Sequence, residues 1–303
     1  MPRLNVAMAY HAGDLQLAKN LLQWIADQNK TPLPFALQLY GDGALTRDQR
    51  IEMREIGKEA FKTVRSYPVH VDASMQKWPT GPNLMFQQAL RVSSETLRDS
   101  FLWMEPDCVT LHYGWLDGLD EAYYSQPDRY FGVFSRRGAG PASLPDKWMS
   151  GVGIYPANAF AELAAYCGSE KPFDVASADS LVPRMAETSL IAHFWGAKDL
   201  PPTFVHGQPS GPNAMNMAMI PPGSAIFHRC KDGSLMRVMS SPPPPPAMSD
   251  EQADLNPIRQ QGMPPPLPPK VGVVAPSEKS AFGGGMTKVM RTTTDTAAPL
   301  RAE

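Results

Sequence analysis

Phe101-Leu102-Trp103-Met104-Glu105-Pro106-Asp107-Cys108 passes without a spacer from four apolar residues into two carboxylates at i and i+2. The apolar run reads as a buried strand. Pro106 fixes the turn between the acids and removes a donor, so both side chains can converge at the strand's end. Two carboxylates with an open position suit a hard divalent cation that keeps waters and bridges phosphates. A strand-terminal turn whose acids merely face water is the plainer alternative.

Outward from this stretch, strand-like and helix-like segments alternate. Leu4–Ala9 reads as a strand, and Asp14–Gln28 as a helix with Leu15, Ala18, Leu21, Leu22 and Ile25 at helical spacing. Phe35–Tyr40 is a second strand, Arg47–Lys62 a helix, and Val64–Val71 a strand. Pro82–Val92 and Trp115–Tyr124 are helical, Tyr130–Phe134 and Val152–Tyr155 later strands, and Ala157–Tyr166 and Val182–Trp195 later helices. Such alternation predicts an α/β domain with a mainly parallel sheet, whose ligands bind at the carboxyl ends of the strands.

The chain has 303 residues, a net charge of −2 and 32 prolines. A near-neutral chain does not coat nucleic acid or an acidic membrane by bulk charge, so any polyanion contact must be local. The prolines crowd the C-terminal part, at Pro242–Pro246 and in Pro264-Pro265-Pro266-Leu267-Pro268-Pro269. With Gly283-Gly284-Gly285 and few large apolar residues, residues 241–303 cannot offset their ordering entropy and read as a disordered or polyproline-II tail. A weak helical tendency lies at Thr287–Arg291. Residues 1–240 are then one domain's worth. Cys108, Cys167 and Cys230 have no C-x-x-C spacing, which excludes a disulfide scaffold and a thiolate zinc site. No apolar stretch has the ~18–20 residues of a membrane helix. The expectation is a soluble protein of a reducing compartment, the cytoplasm (the host's, if the protein is viral).

Four further segments stand in order around the acidic pair. The first strand runs into Tyr10-His11-Ala12-Gly13-Asp14, and Trp78-Pro79-Thr80-Gly81-Pro82-Asn83 opens a helix. Met149-Ser150-Gly151-Val152-Gly153-Ile154-Tyr155-Pro156 follows later, and Phe227-His228-Arg229-Cys230-Lys231-Asp232-Gly233 closes the core. In this order, over residues 4–239, the chain resembles the GT-A glycosyltransferases, and among them a divergent phage-type group. The resemblance implies a GT-A-like, Rossmann-like sheet and metal-dependent transfer of a sugar from a nucleotide-sugar donor to a hydroxyl. A UDP-sugar is the expected donor, and the hexose or pentose is left open. Glu105, Asp107 and His228 would hold Mn²⁺ or Mg²⁺, assisted by Lys231 or Arg229. Tyr10, His11, Gly13 and Asp14 would meet the base and ribose, and Gly81 and Asn83 the donor. Glu-Pro-Asp departs from the family's usual pair of aspartates, which leaves open which acid ligates directly. Because some phage transferases act on hydroxymethylated DNA bases, modified DNA is one expected acceptor.

Each segment also has a plainer reading. Asp14 suits a helix N-cap, Gly81-Pro82-Asn83 a turn and helix start, and Trp78 partial burial in the core. Gly151 and Gly153 suit close backbone packing, and His228 an ordinary surface histidine. Inverting transfer needs a carboxylate to take the acceptor proton, and Asp174 and Asp179 both qualify. Glu187 and His193, on the expected Val182–Trp195 helix, are further candidates, with His193 also readable as packed. Arg50, Arg54, Lys58 and Lys62 recur at i+4 and are balanced by Glu52, Glu55 and Glu59. They read as a solvated face, or as a phosphate track for a DNA acceptor. Pro264–Lys270 fits a P-x-x-P ligand or a solvated linker. The rival functions are a nucleotidyltransferase or other nucleotide-sugar enzyme, and a binding module that works through its proline-rich tail.

Overall fold

The computed structural model describes residues 4–126, 129–136, 144–194 and 200–241. The expected proline-rich tail, with its P-x-x-P segment and Thr287–Arg291, lies outside the described residues.

The first half alternates as its periodicity predicts. Strand β1 (Asn5–Tyr10), helix α1 (Leu15–Gln28), β2 (Leu33–Asp42), α2 (Arg47–Ala60) and β3 (Phe61–Val69) are followed by α3 (Thr80–Arg91). Then come β4 (Phe101–Met104), β5 (Val109–Thr110), α4 (Trp115–Tyr124), β6 (Tyr130–Arg136) and β7 (Lys147–Tyr155). Short pieces complete the order: α5 (Ala159–Leu163), α6 (Phe173–Ala176), α7 (Ala178–Leu181), β8 (Met185–Glu187) and β9 (Ile191–His193). Last are β10 (Thr203–Phe204), β11 (Ala214–Met215), β12 (Ile226–His228) and α8 (Ser234–Ser240).

Seven strands form the central sheet in the order β3-β2-β1-β4-β7-β6-β8. Its pairs are parallel except at β7, which runs antiparallel to both β4 and β6. The expected α/β architecture with a mainly parallel sheet is therefore the observed one. Strand β4 is apolar at every position because both faces are covered. Phe101 and Trp103 join the core that includes Phe86 of α3 and Phe173, while Leu102 and Met104 join the core that includes α1, α2 and α4. Helix α1 buries Leu15, Ala18, Leu21, Leu22 and Ile25, its leucines and isoleucine each contributing about 2 kcal/mol of transfer free energy. Helix α2 is more polar and starts with a capping box: Thr46 accepts from the Gln49 amide, and Gln49 from the Thr46 amide. A smaller sheet, β5-β12-β9, sits over its own apolar cluster of Val109, Ala192, Phe204, Phe227 and Leu235.

Three local expectations are corrected. The expected Val182–Trp195 helix is not formed over its described residues, 182–194: Val182–Arg184 is one 3₁₀ turn, and β8 and β9 follow, joined through Thr188-Ser189-Leu190. β-Branched Ile191 and the hydrogen-bonding hydroxyls of Thr188 and Ser189 favour extended and turn backbone over helix. Asp14 stands at the N-cap position of α1, but its carboxylate turns back to accept from the His11 amide at 2.7 Å. Trp78 is 60% exposed, beyond a cis peptide to Pro79, instead of packing in the core.

Candidate metal and donor site

The site lies beyond the carboxyl ends of β1 and β4. The Glu105-Pro106-Asp107-Cys108 turn closes with Cys108 N donating to Glu105 O at 3.0 Å. The late segment is tied onto it: β12 pairs antiparallel with β5, and Cys230 N donates to Asp107 O at 2.9 Å. The chain leaves β12 through Arg229 in the left-handed region, φ 82°, a conformation that non-glycine residues seldom adopt. These ties set His228 Nε2 at 3.1 Å from Glu105 Oε2 and 3.2 Å from Asp107 Oδ1, with Lys231 Nζ 4.0 Å from Asp107 Oδ2. Asp107 and His228 are buried, and Glu105 is half-buried.

Charge governs the ionisation here. Burial alone would lower the His228 value, but the carboxylates of Asp107 and Glu105 outweigh it and carry it up to about 10. Burial would raise Asp107, yet His228 and Lys231 hold its carboxyl below the usual range. Asp107 Oδ1 is buried and faces the His228 ring nitrogen at 3.2 Å, a charged contact without good hydrogen-bond alignment. A buried carboxylate oxygen needs a positive partner, which protonated His228 supplies here and a cation would supply in its place.

That oxygen tests the fit of a metal. Two carboxylates converging on one imidazole are oxygen and nitrogen donors of the kind Mn²⁺ and Mg²⁺ accept. The ligand atoms of Asp107, Cys108 and His228 lie within 4.8 Å of one another, while Glu105 meets the group through His228. The Cys108 thiol is fully buried and pushed well above its ordinary value by that burial and the two acids, which makes it the weakest donor of the group before a metal binds.

The loop after β1 also reaches the acidic turn. Burial raises the Asp14 carboxyl, and the Asp107 charge adds to the rise. Gly13 N donates to His11 Nδ1 at 2.9 Å, and His11 Nε2 stands 3.3 Å from Asp14, which shapes the loop with its own side chains. His11, Gly13 and Asp14 thus border the site with open surface. The Tyr10 ring is fully buried in the core, its hydroxyl close to Gly41 and its value raised to about 12 by burial, so it does not face a ligand. Gly81 is buried in the first turn of α3, within 3.4 Å of Met75 O for any added Cβ.

Asn83 is spent inside the protein. Its amide nitrogen donates to Lys171 O at 2.9 Å and Ser169 O at 3.4 Å, and its oxygen accepts from Phe173 N at 2.9 Å. It pins the segment that carries Asp174. Gly151 reports where that residue goes: a Cβ there would stand 3.1 Å from Glu105 Oε1 and 3.9 Å from Asp174 Oδ2. Burial first, and Glu105 second, push the Asp174 carboxyl up to about 7. Asp179 is exposed instead on a separate cleft with Ser169, Glu170 and Lys171. The structure brings Asp174 to Glu105 and does not bring Asp179 there.

Sequence reasoning offered His193 as an acid–base candidate or a packed residue on a helix, and missed its pairing with His228. His193 pairs in register with His228 across parallel β9 and β12, its Nδ1 2.8 Å from His228 Nδ1 and 3.2 Å from Ser150 Oγ. Placing it on a helix hid this; the strand-like Ile191-Ala192-His193, matching Ile226-Phe227-His228 in length and polarity, was the available signal.

An α/β fold with an acid–acid–histidine cluster at its carboxyl edge is thus the class that the fold and site define. No family model matches the chain, and no curated protein is similar to it by sequence. Solved structures similar to it include the bifunctional glycosyltransferase WbbM, 13% identical over 63% of this chain with a TM-score of 0.44. The galactosyltransferase LgtC with donor and acceptor sugar analogues is 9% identical over 83% of this chain and 99% of its own length, TM-score 0.46. Core-mannan synthase A from Aspergillus fumigatus, in its Mn/GDP form, is 10% identical over 62% of this chain and 73% of its own, TM-score 0.38. The chain spans 40% of the length of WbbM. No helix among the described residues is long and apolar enough to cross a membrane.

Proposed function

We propose that residues 1–240 form a GT-A-like, metal-dependent glycosyltransferase that moves a hexosyl or pentosyl group from a nucleotide-sugar, a UDP-sugar first, to an acceptor hydroxyl. The observation that carries the reading is the convergence of Glu105 and the buried Asp107 carboxylate on one nitrogen of His228, at 3.1 and 3.2 Å. A bound Mn²⁺ or Mg²⁺ would neutralise the charge that develops on the departing diphosphate.

The chain's own residues supply the rest. Asp107 and His228, anchored by the turn and by β12, orient their ligand atoms from rigid elements. Lys231, exposed and beside Asp107, meets the diphosphate oxygens from the solvent side. The amides at the start of α1 and the His11–Asp14 loop border the nucleotide. Asp174, with a carboxyl poised near 7 beside Glu105, is the better placed of the two aspartates to accept the acceptor proton. A DNA acceptor receives little support from α2. There Lys58 is held by Glu55 at 2.7 Å and Arg50 by the Leu45 carbonyl, and Lys62 lies on β3.

Calorimetry of the full chain with UDP, GDP and other nucleoside diphosphates in Mn²⁺, followed by donor turnover, tests the reading. Nucleotide binding abolished by chelator, with release of nucleoside diphosphate from a nucleotide-sugar, supports it. Release of pyrophosphate from a nucleoside triphosphate and a sugar phosphate would assign a nucleotidyltransferase. Absence of nucleotide binding would leave a binding module.

A further inference from the structure

Two histidine nitrogens 2.8 Å apart share one proton, and the surroundings decide which ring owns it. His228 Nε2 is committed to the space between Glu105 and Asp107. With Nε2 giving its lone pair to a cation, a neutral imidazole carries its proton on Nδ1. His228 Nδ1–H must then donate to His193 Nδ1, which accepts. Ser150 Oγ, 3.2 Å from the same His193 nitrogen, is the second group at that acceptor. The arrangement is held by backbone: His193 and His228 are register partners in parallel β9 and β12, and their rings meet edge to face with centroids 4.6 Å apart.

We propose that His193 is a positioning residue for the metal, a neutral acceptor that fixes His228 in its Nδ1–H tautomer and aims the Nε2 lone pair between Glu105 and Asp107. This rests on the metal reading of the preceding section. A metal-bound histidine commonly gives its other ring proton to a carboxylate or a carbonyl, and loss of that partner lowers metal affinity about 10- to 100-fold. A second imidazole in this place accepts one hydrogen bond without adding negative charge. It thereby tunes the orientation of His228 while leaving the charge of the site to Glu105 and Asp107.

The test compares the full-length wild-type chain with His193→Phe, which keeps a ring and loses the acceptor, and His193→Asn, whose Oδ1 stands about where Nδ1 stood. Mn²⁺ affinity is read by calorimetry. The tautomer of His228 is read in the Mg²⁺-loaded proteins from the ¹⁵N shifts and two-bond couplings of its ring. The expected result is a 10- to 100-fold weaker Mn²⁺ affinity in His193→Phe, recovery to within about threefold in His193→Asn, and an Nδ1–H tautomer in wild type and the Asn variant alone. Unchanged affinity in His193→Phe, equal weakening in both variants, or an Nε2–H tautomer in wild type would overturn the role of His193. No Mn²⁺ binding by the wild-type chain would overturn the metal reading, and this role with it.

Discussion

Gly151 lies directly beneath Glu105: a methyl group on its Cα would stand 3.1 Å from Glu105 Oε1. The nearest atom in the way is the end of a flexible side chain, so the fold can yield where the site cannot. Gly151→Ala is expected to weaken Mn²⁺ binding about tenfold by displacing Glu105, with little change in the urea midpoint. Gly153→Ala is its counterpart. There the added carbon would come within 2.2 Å of Met149 Cε and 3.0 Å of the Phe131 carbonyl. It is expected to cost about 1–3 kcal/mol of stability by overpacking, read by urea denaturation.

Asp107→Asn removes the charge and keeps the shape. On the metal reading, Mn²⁺ at 100 times its Kd is expected to stabilise the wild-type native state by about 2.7 kcal/mol. The variant is expected to show no rise in melting temperature with Mn²⁺. A rise equal to that of wild type would remove Asp107 from the ligand set.

The proton on His228 sets a pH dependence. The metal-free site holds it up to about pH 10, and a ligand on Nε2 must displace it. Apparent Mn²⁺ affinity is therefore expected to rise about tenfold per pH unit between about 6.5 and 8.5, with close to one proton released per metal. Calorimetry in buffers of different ionisation enthalpy measures that proton. Stability of the metal-free chain runs in the opposite direction. The folded value exceeds the ordinary 6.5, so the ion-pair contribution is complete below about 6.5 and lost as pH rises through about 10.

Asn83→Ala would leave the buried Phe173 N without its acceptor and remove one donor each from Lys171 O, which keeps the Ser169 hydroxyl, and Ser169 O. The orphaned buried amide sets an expected loss of about 1–3 kcal/mol in denaturant unfolding. With the segment released, the Asp174 carboxyl should also titrate closer to its ordinary value, which carboxyl ¹³C shifts would detect.

The sequence made the first half of the sheet readable because its elements are long enough to show a period. Phe101–Met104 and Trp115–Tyr124 fall on the expected residues, and β1, β2, α1 and α2 lie within a few residues of theirs. Beyond the long β6 and β7, the chain rests on strands of two or three residues, β8 to β12, which like β5 are too short for any alternation to register. The acidic pair was readable because it is local. The use of Asn83 by residues 169–173 and the burial of Tyr10 depend on chain segments that only tertiary contact brings together, so spacing along the chain carries no trace of them, and the His193–His228 pair leaves only the likeness of two three-residue segments.

The tie between Cys230 N and Asp107 O joins the acidic turn to a loop more than a hundred residues later. A growing chain would thus present β1 to β4 and both carboxylates well before β12 arrives to complete the cluster. Until then the two acids stand on an open turn without His228. On the metal reading proposed above, cation affinity would be a certificate of completion: only a chain synthesised past Lys231 and folded back on itself would hold the ion firmly.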